Sequence, residues 1–290
     1  MKITGYSTAL FSTWFFLEEY GILFDAGDGV SASLMGKGGK IKHIFISHAD
    51  RDHITGLFQV HQLNARPSKP LIIYPKDAGS FPAMASFMDK FDPHVGGAIW
   101  QGIEHDDQIQ INKELRVEAL RNEHVQIDKG ITKSLSYKLV RAKRKLKPEF
   151  QALAGKEIGR LRKERGENFV TEEKSEILLA YSGDTPVDDY SKWDNSQILI
   201  HEATFMGDLA AQQIDSDRNL HSSLEEVMEM LANIQVGKVI LSHFSSRYSA
   251  DEIDHKIAEL RKHYGINIPI HRIFPGKFYK NILEECRLDF

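Results

Sequence analysis

The run His48-Ala-Asp50-Arg-Asp52-His53 puts two imidazoles and two carboxylates within six residues. Charged groups at that density repel one another and are costly to desolvate. A divalent cation reverses both terms, because imidazole nitrogen and carboxylate oxygen are the ligands that borderline divalent ions take. Residues 48, 50 and 52 can converge from a tight loop, and His53 can reach a second ion from the start of an adjoining helix. Read alone, the run has an exposed polar turn as its second reading. Three further polar groups end apolar runs in the same way: Glu123-His124, Ser182-Gly183-Asp184-Thr185 and Ser242-His243. A lone histidine is usually structural. Four clusters at one position relative to strands are harder to dismiss, since strand ends along one edge bring distant residues to one point.

The elements that must position these groups follow from periodicity. Strands are expected at residues 2–6, 13–18, 21–25, 41–47, 71–75, 115–120, 177–182, 197–202 and 238–243, with the run Asp25-Ala-Gly-Asp-Gly29 breaking the pattern after the third. Residues 54–64 read as a helix with Leu57, Val60 and Leu63 on its apolar face, and residues 81–91 as another. A helix over 224–234 takes Ser222 as its N-cap, with Glu225 and Glu226 in the first turn, and one over 250–263 follows Ser249. The stretch from Ile270 to Tyr279 reads as a closing strand and turn in which His271 is structural. Strands followed by helices predict an α/β chain, two packed sheets with helices outside.

The composition narrows the class. Among 290 residues, 41% are hydrophobic and 27% charged, which is globular composition, and the net charge of −4 excludes a polycation. The one cysteine, Cys286, excludes an internal disulfide and a cysteine-based zinc site. It fits a reducing compartment, so a cytoplasmic protein with no membrane span is expected. The locally basic stretch is Arg141 to Arg165. It reads either as a solvated helical excursion or as a grip on a nucleic-acid backbone, with Phe150 and Phe169 anchoring it to the core or else stacking on bases.

The order and wording of these motifs resemble the metallo-β-lactamase superfamily and, within it, ribonuclease Z, the tRNA 3′-processing endonucleases. The stretches that carry the resemblance are Ile44–Gly56, Tyr181–Thr185, Leu199-Ile-His-Glu-Ala-Thr-Phe205, His221-Ser222 and Leu241-Ser-His-Phe-Ser-Ser-Arg-Tyr248. The resemblance implies a four-layer αβ/βα sandwich, two mixed β-sheets with helices outside, as a single domain over residues 1–290 with a basic insert at about 141–170. It implies two divalent metal ions, zinc by default and manganese or iron as alternatives. The first would be held by His48, Asp50, His124 and Asp184, the second by Asp52, His53, Asp184 and His243, with Asp184 shared. Asp52 would orient the nucleophile, His221 would protonate the departing 3′ oxygen, and Glu202 would orient His221. The family's loop reads His-x-His-x-Asp-His, and this chain has Asp at position 50. The implied substrate is precursor tRNA and the implied assembly a homodimer. A small phosphodiester, ester, lactone or sulfate is the alternative substrate. A non-catalytic RNA- or protein-binding module with a degraded metal site is the alternative of another class.

Overall fold

The structure, a computed structural model, describes residues 1–207 and 220–288. Its first sheet contains β1 (Ile3–Thr8), β2 (Ser12–Leu17), β3 (Ile22–Phe24), β4 (His43–Phe45), β5 (Leu71–Pro75) and β6 (Ile99–Ile103). The second contains β7 (Gln108–Gln110), β8 (Leu115–Arg121), β9 (Leu135–Leu146), β10 (Thr171–Tyr181), β11 (Leu199–Glu202), β12 (Val239–Ser242) and β13 (Ile270–Arg272) in sequence order. A last short strand, β14 (Phe278–Tyr279), returns to pair antiparallel with β1. Each sheet is mixed: β3 to β6 are parallel, as are β10 to β13, and the remaining pairs are antiparallel.

Both faces of each sheet are covered, which explains the uninterrupted apolar runs. In β3, Ile22 and Phe24 enter the core between the sheets while Leu23 faces outward. In β12, Ile240 points inward and Val239 and Leu241 outward. This is the period-two alternation of a strand buried on both sides. The outer face of the first sheet packs on Leu57, Val60, Phe81 and Met88 of the helices Leu57–Asn64 and Ser80–Phe91. The outer face of the second packs on Val227, Met228, Leu231, Ile253 and Ile257 of the helices Leu224–Asn233 and Ala250–Tyr264. The result is the four-layer sandwich.

Several local expectations change. The helix expected over 54–64 is two pieces, Arg51–Ile54 and Leu57–Asn64. Gly56 separates them, donating its N–H to Ala26 at 2.8 Å and sitting so close to Gly27 that a Cβ would lie 2.2 Å from its carbonyl oxygen. Leu63 lies off the buried face, 60% exposed. The N-cap of Leu224–Asn233 is Ser223, in a capping box with Glu226; Ser222 instead donates to the Thr185 carbonyl at 2.6 Å. Both serines have Glu three residues on, so the pattern alone left the register open.

The basic stretch is only partly helical. β9 and β10 continue beyond the sheet as a two-stranded ribbon, pairing Arg141 with Glu176 and Leu146 with Thr171. The helix Gly155–Arg165 crowns it. Phe150 and Phe169 pack at 5.4 Å between ring centres, and Arg165 lies 4.8 Å over the Phe169 ring. Glu173 and Glu176 on β10 pair with Arg116 and Arg141, so the ribbon base is charge-balanced, whereas on the crown Arg160 and Arg162 pair with Glu164 and Glu167 and cations remain in excess.

Candidate metal centre

Four strands deliver the clusters to one edge. β8 and β10 are each antiparallel to β9, so they run the same way, and β11 and β12 are parallel to β10. The carboxyl ends of all four therefore meet, carrying His124, Asp184, Glu202 and His243. β4 brings His48 to the same edge from the other sheet, and Arg51–Ile54 carries Asp52 and His53. Such edges are where open α/β sheets bind ligands. Two sharp turns complete the approach. Gly183 has φ 59°, and a Cβ there would lie 2.7 Å from the Ser47 Cβ. His243 itself has φ 62°, a conformation that costs a non-glycine residue about 1–3 kcal/mol and that surrounding contacts must hold in place.

The side chains expected at the site converge. Donor atoms of Asp52, His53, Asp184 and His243 form one compact group, those of His48, His124 and Asp184 a second, and those of Glu202, His221 and His243 a third. His53 Nε2 lies 3.2 Å from Asp184 Oδ2, His243 Nε2 is 3.3 Å from both Asp184 Oδ2 and Asp52 Oδ2, and the two Nε2 atoms are 3.4 Å apart. Asp50 stands outside the compact groups, 3.4 Å from His124 Nε2 and 3.7 Å from His48 Nε2.

What lies behind each ring fixes its orientation. His53 Nδ1 donates to Asp25 at 2.7 Å, His124 Nδ1 to the Leu220 carbonyl at 2.8 Å and His243 Nδ1 to Thr204 Oγ1 at 2.8 Å. Ser47 Oγ donates to Asp25 at 2.8 Å and accepts from His48 Nδ1 at 2.9 Å. Each ring thus turns an Nε2 lone pair toward the carboxylates, and the buried His48 Nε2 has no hydrogen-bond partner. Lone pairs and carboxylates facing one another repel unless a cation lies between them. A tetrahedral cation with bonds of about 2.0–2.1 Å separates its donors by roughly 3.3–3.4 Å, which matches the compact four-donor group. The residues present fit divalent metal. Acceptors behind ligating imidazoles are the usual second layer of such centres.

Without a cation, protons balance part of this charge. Burial opposes charge on His53, but Asp184 and Asp25 hold its pKa well above the ordinary histidine value. Burial likewise opposes charge on Asp184, yet His243 and His53 keep its carboxyl well below the usual range. His48, beside His53 and His124, is held well below by burial first and by those neighbours second. At the rim, His221 Nδ1 donates to Glu202 Oε1 at 3.1 Å. Burial lowers the His221 pKa, but Glu202 carries it up to about 9. Glu202 also accepts the Thr185 N–H at 2.6 Å and the Thr204 hydroxyl.

Asp25, Ser47 and Thr204 were not singled out from sequence. Asp25 ends an apolar strand as the other clusters do, and that signal could have found it. The hydroxyls of Ser47 and Thr204 carry no ligand signature. Asp25 is fully buried, has φ 53°, and also accepts the Ser47 N–H and the Tyr181 hydroxyl.

No family model matches the chain. Solved structures match it throughout. Human tRNase Z, short form, has a TM-score of 0.61 at 19% identity, covering 86% of this chain and 94% of that one. The metallo-β-lactamase fold protein YhfI from Bacillus subtilis has a TM-score of 0.62 at 14% identity, covering 96% of this chain and 98% of that one. The architecture is therefore that of the metallo-β-lactamase fold, with a His/Asp cluster that could hold metal at its edge. Among curated relatives, the ribonuclease Z of Staphylococcus carnosus (strain TM300) is 30% identical over 275 residues, 83% of this chain and 84% of that protein. That of Ignicoccus hospitalis is 27% identical over 292 residues, 93% of this chain and 89% of that protein. The chain belongs to the ribonuclease Z family. Among the described residues, no helix is long and apolar enough to cross a membrane.

Proposed function

We propose that the chain is an endoribonuclease that removes the 3′ trailer of precursor tRNA, using two divalent cations, zinc in the default case. The observation that carries this reading is the cluster itself: four imidazoles, each braced from behind, face shared carboxylates beside a His–Glu pair at the rim. His48, Asp50, His124 and Asp184 would hold one cation and Asp52, His53, Asp184 and His243 the other. Two cations held there would supply Lewis acidity, lowering the pKa of a water and neutralising charge on the phosphate oxygens.

The remaining work belongs to the chain. Asp52 Oδ2, fixed by the Leu10 N–H at 3.0 Å, orients the attacking water. His221 uses Nδ1 to hold Glu202, which leaves Nε2 as the proton donor to the departing 3′ oxygen. Glu202 favours the charged imidazolium, so the acid is loaded at neutral pH. The exposed crown Gly155–Arg165 presents Lys156, Arg160 and Lys163 to the RNA backbone.

The test is cleavage of a precursor tRNA carrying a 3′ trailer by the metal-loaded protein, beside hydrolysis of a small chromogenic phosphodiester. Site-specific release of the trailer is expected. Hydrolysis of the small diester with an intact precursor would defeat the substrate assignment while leaving the hydrolase. Replacing Lys156, Arg160 and Lys163 by Glu should weaken precursor binding at least about tenfold and flatten its salt dependence, with the small diester unaffected.

A further inference from the structure

The two donor sets are chemically matched and physically unequal. Each combines two imidazoles, one carboxylate of its own and the shared Asp184. In the set Asp52, His53, Asp184 and His243 no side chain is more than 11% exposed. Three of its donor contacts to the carboxylates lie at 3.2–3.3 Å, the fourth, between His53 and Asp52, at 3.7 Å. In the other set His48 and His124 are buried, but Asp50 is 45% exposed. His124 Nε2 lies 3.4 Å from Asp50, but His48 Nε2 stands 3.7 Å from both Asp50 and Asp184, so two contacts here exceed a tetrahedral edge of about 3.3–3.4 Å against one in the buried set. Only three donors form a compact group there, against four on the buried side.

We infer that the Asp50 side is a weak, exchangeable cation site that fills only after the buried side, so that hydrolysis follows the concentration of free divalent cation. This rests on the two-cation reading of the site. A half-exposed carboxylate must give up more bound water when it ligates than a buried one. Its attraction for a cation is also weakened by the solvent around it. Asp52, 11% exposed against 45% for Asp50, meets less of both costs. Burial, rather than ligand type, sets the sequence of loading.

The experiment is a zinc titration of the chelator-stripped full chain, followed by calorimetry with a competing chelator and by equilibrium dialysis. Two steps separated by at least about tenfold are expected. Asp50→Ala should weaken the second step by about 10–100-fold and leave the first within twofold, whereas Asp52→Ala should weaken the first. Asp50 is half-exposed, so its variant tests binding rather than folding, and circular dichroism checks this. Two equal steps, or an Asp50→Ala variant that loses the tight step, would overturn the inference. Precursor cleavage at saturating zinc separates the two readings. Cleavage with equal steps sinks the inference alone, and no cleavage with unequal steps sinks the substrate reading alone.

Discussion

Two groups of buried histidines, one at the sheet edge and one within the strands, put the same side chain to different ends. His48, His53, His124 and His243 gather at the sheet edge; His43, His201 and His271 sit within β4, β11 and β13. Burial does not separate them, since all seven are at most 6% exposed. An unpaired nitrogen does not either: His48 Nε2 is orphaned at the edge, and so are His43 Nδ1, His201 Nε2 and His271 Nδ1 in the strands. What separates them is the group in front of the ring. The edge histidines face Asp50, Asp52 and Asp184, while His43 has Lys69 at 3.5 Å and His201 meets the edge of Trp193. A buried imidazole becomes a candidate ligand when carboxylates share its space.

Removing the shared carboxylate is the strongest way to break this contrast. Asp184→Ala should lose both cations and all activity, read as metal content by mass spectrometry and as precursor cleavage. His271, equally buried, should tolerate replacement by Gln with metal content and turnover intact. Equal loss in both variants would erase the distinction. Next in size is His221→Ala. It should keep its metal and slow cleavage by about 10²–10⁴-fold, the usual contribution of a general acid. Unchanged turnover would remove His221 from the chemistry.

The sequence made the edge legible because ligand-type residues follow apolar runs, and burial on both faces forces those runs into parallel strands with common ends. His48, His124, Asp184 and His243 each stand a few residues past a strand and could be read that way. The bracing layer was less legible. Ser47 and Thr204 act through hydroxyls that any strand end can carry, and their partners are distant in sequence: Thr204 bonds His243, 39 residues on. The ribbon was misread for a related reason. Its charges pair across strands, Arg141 with Glu176, 35 residues apart, so a run of cations looked like a helix face. β9 itself, from Leu135 to Leu146, went unassigned because its outer half has no buried face to impose alternation.

Thr204 sharpens the contrast further. Its hydroxyl donates to Glu202, accepts from His243 Nδ1 and lies 3.5 Å from His221 Nδ1, so it ties the proton donor to a candidate ligand. Thr204→Val keeps the shape and removes the bonds. A fall of about tenfold in both metal affinity and turnover is expected, the scale of a lost outer partner, with Thr204→Ser restoring both. A Val variant that matches Ser in metal affinity and turnover would confine Thr204 to packing.

The smallest expected effect is on stability, and it runs in opposite directions for the strand histidines His43 and His271 and for His221 at the rim. His43 is pushed down to about 4 by burial and by Lys69, and His271 to about 4 by burial and Lys238. Unfolded histidine titrates near 6.5, so between about 6.5 and 4 the unfolded chain binds protons that the folded chain refuses. Stability conferred by these neutral rings is therefore complete above about 6.5 and falls as pH drops to 4, on the order of 3 kcal/mol for each. His221, raised to about 9, behaves oppositely: in the metal-free chain its contribution is complete below about 6.5 and is lost as pH rises toward 9. Urea unfolding in excess chelator, stepped from pH 4 to 9, reads both. His43→Phe should flatten the acid limb and leave the alkaline limb unchanged, and His221→Ala should do the reverse. Both variants flattening the same limb would mean that His221 shares the electrostatic environment of the strand histidines, against its pairing with Glu202.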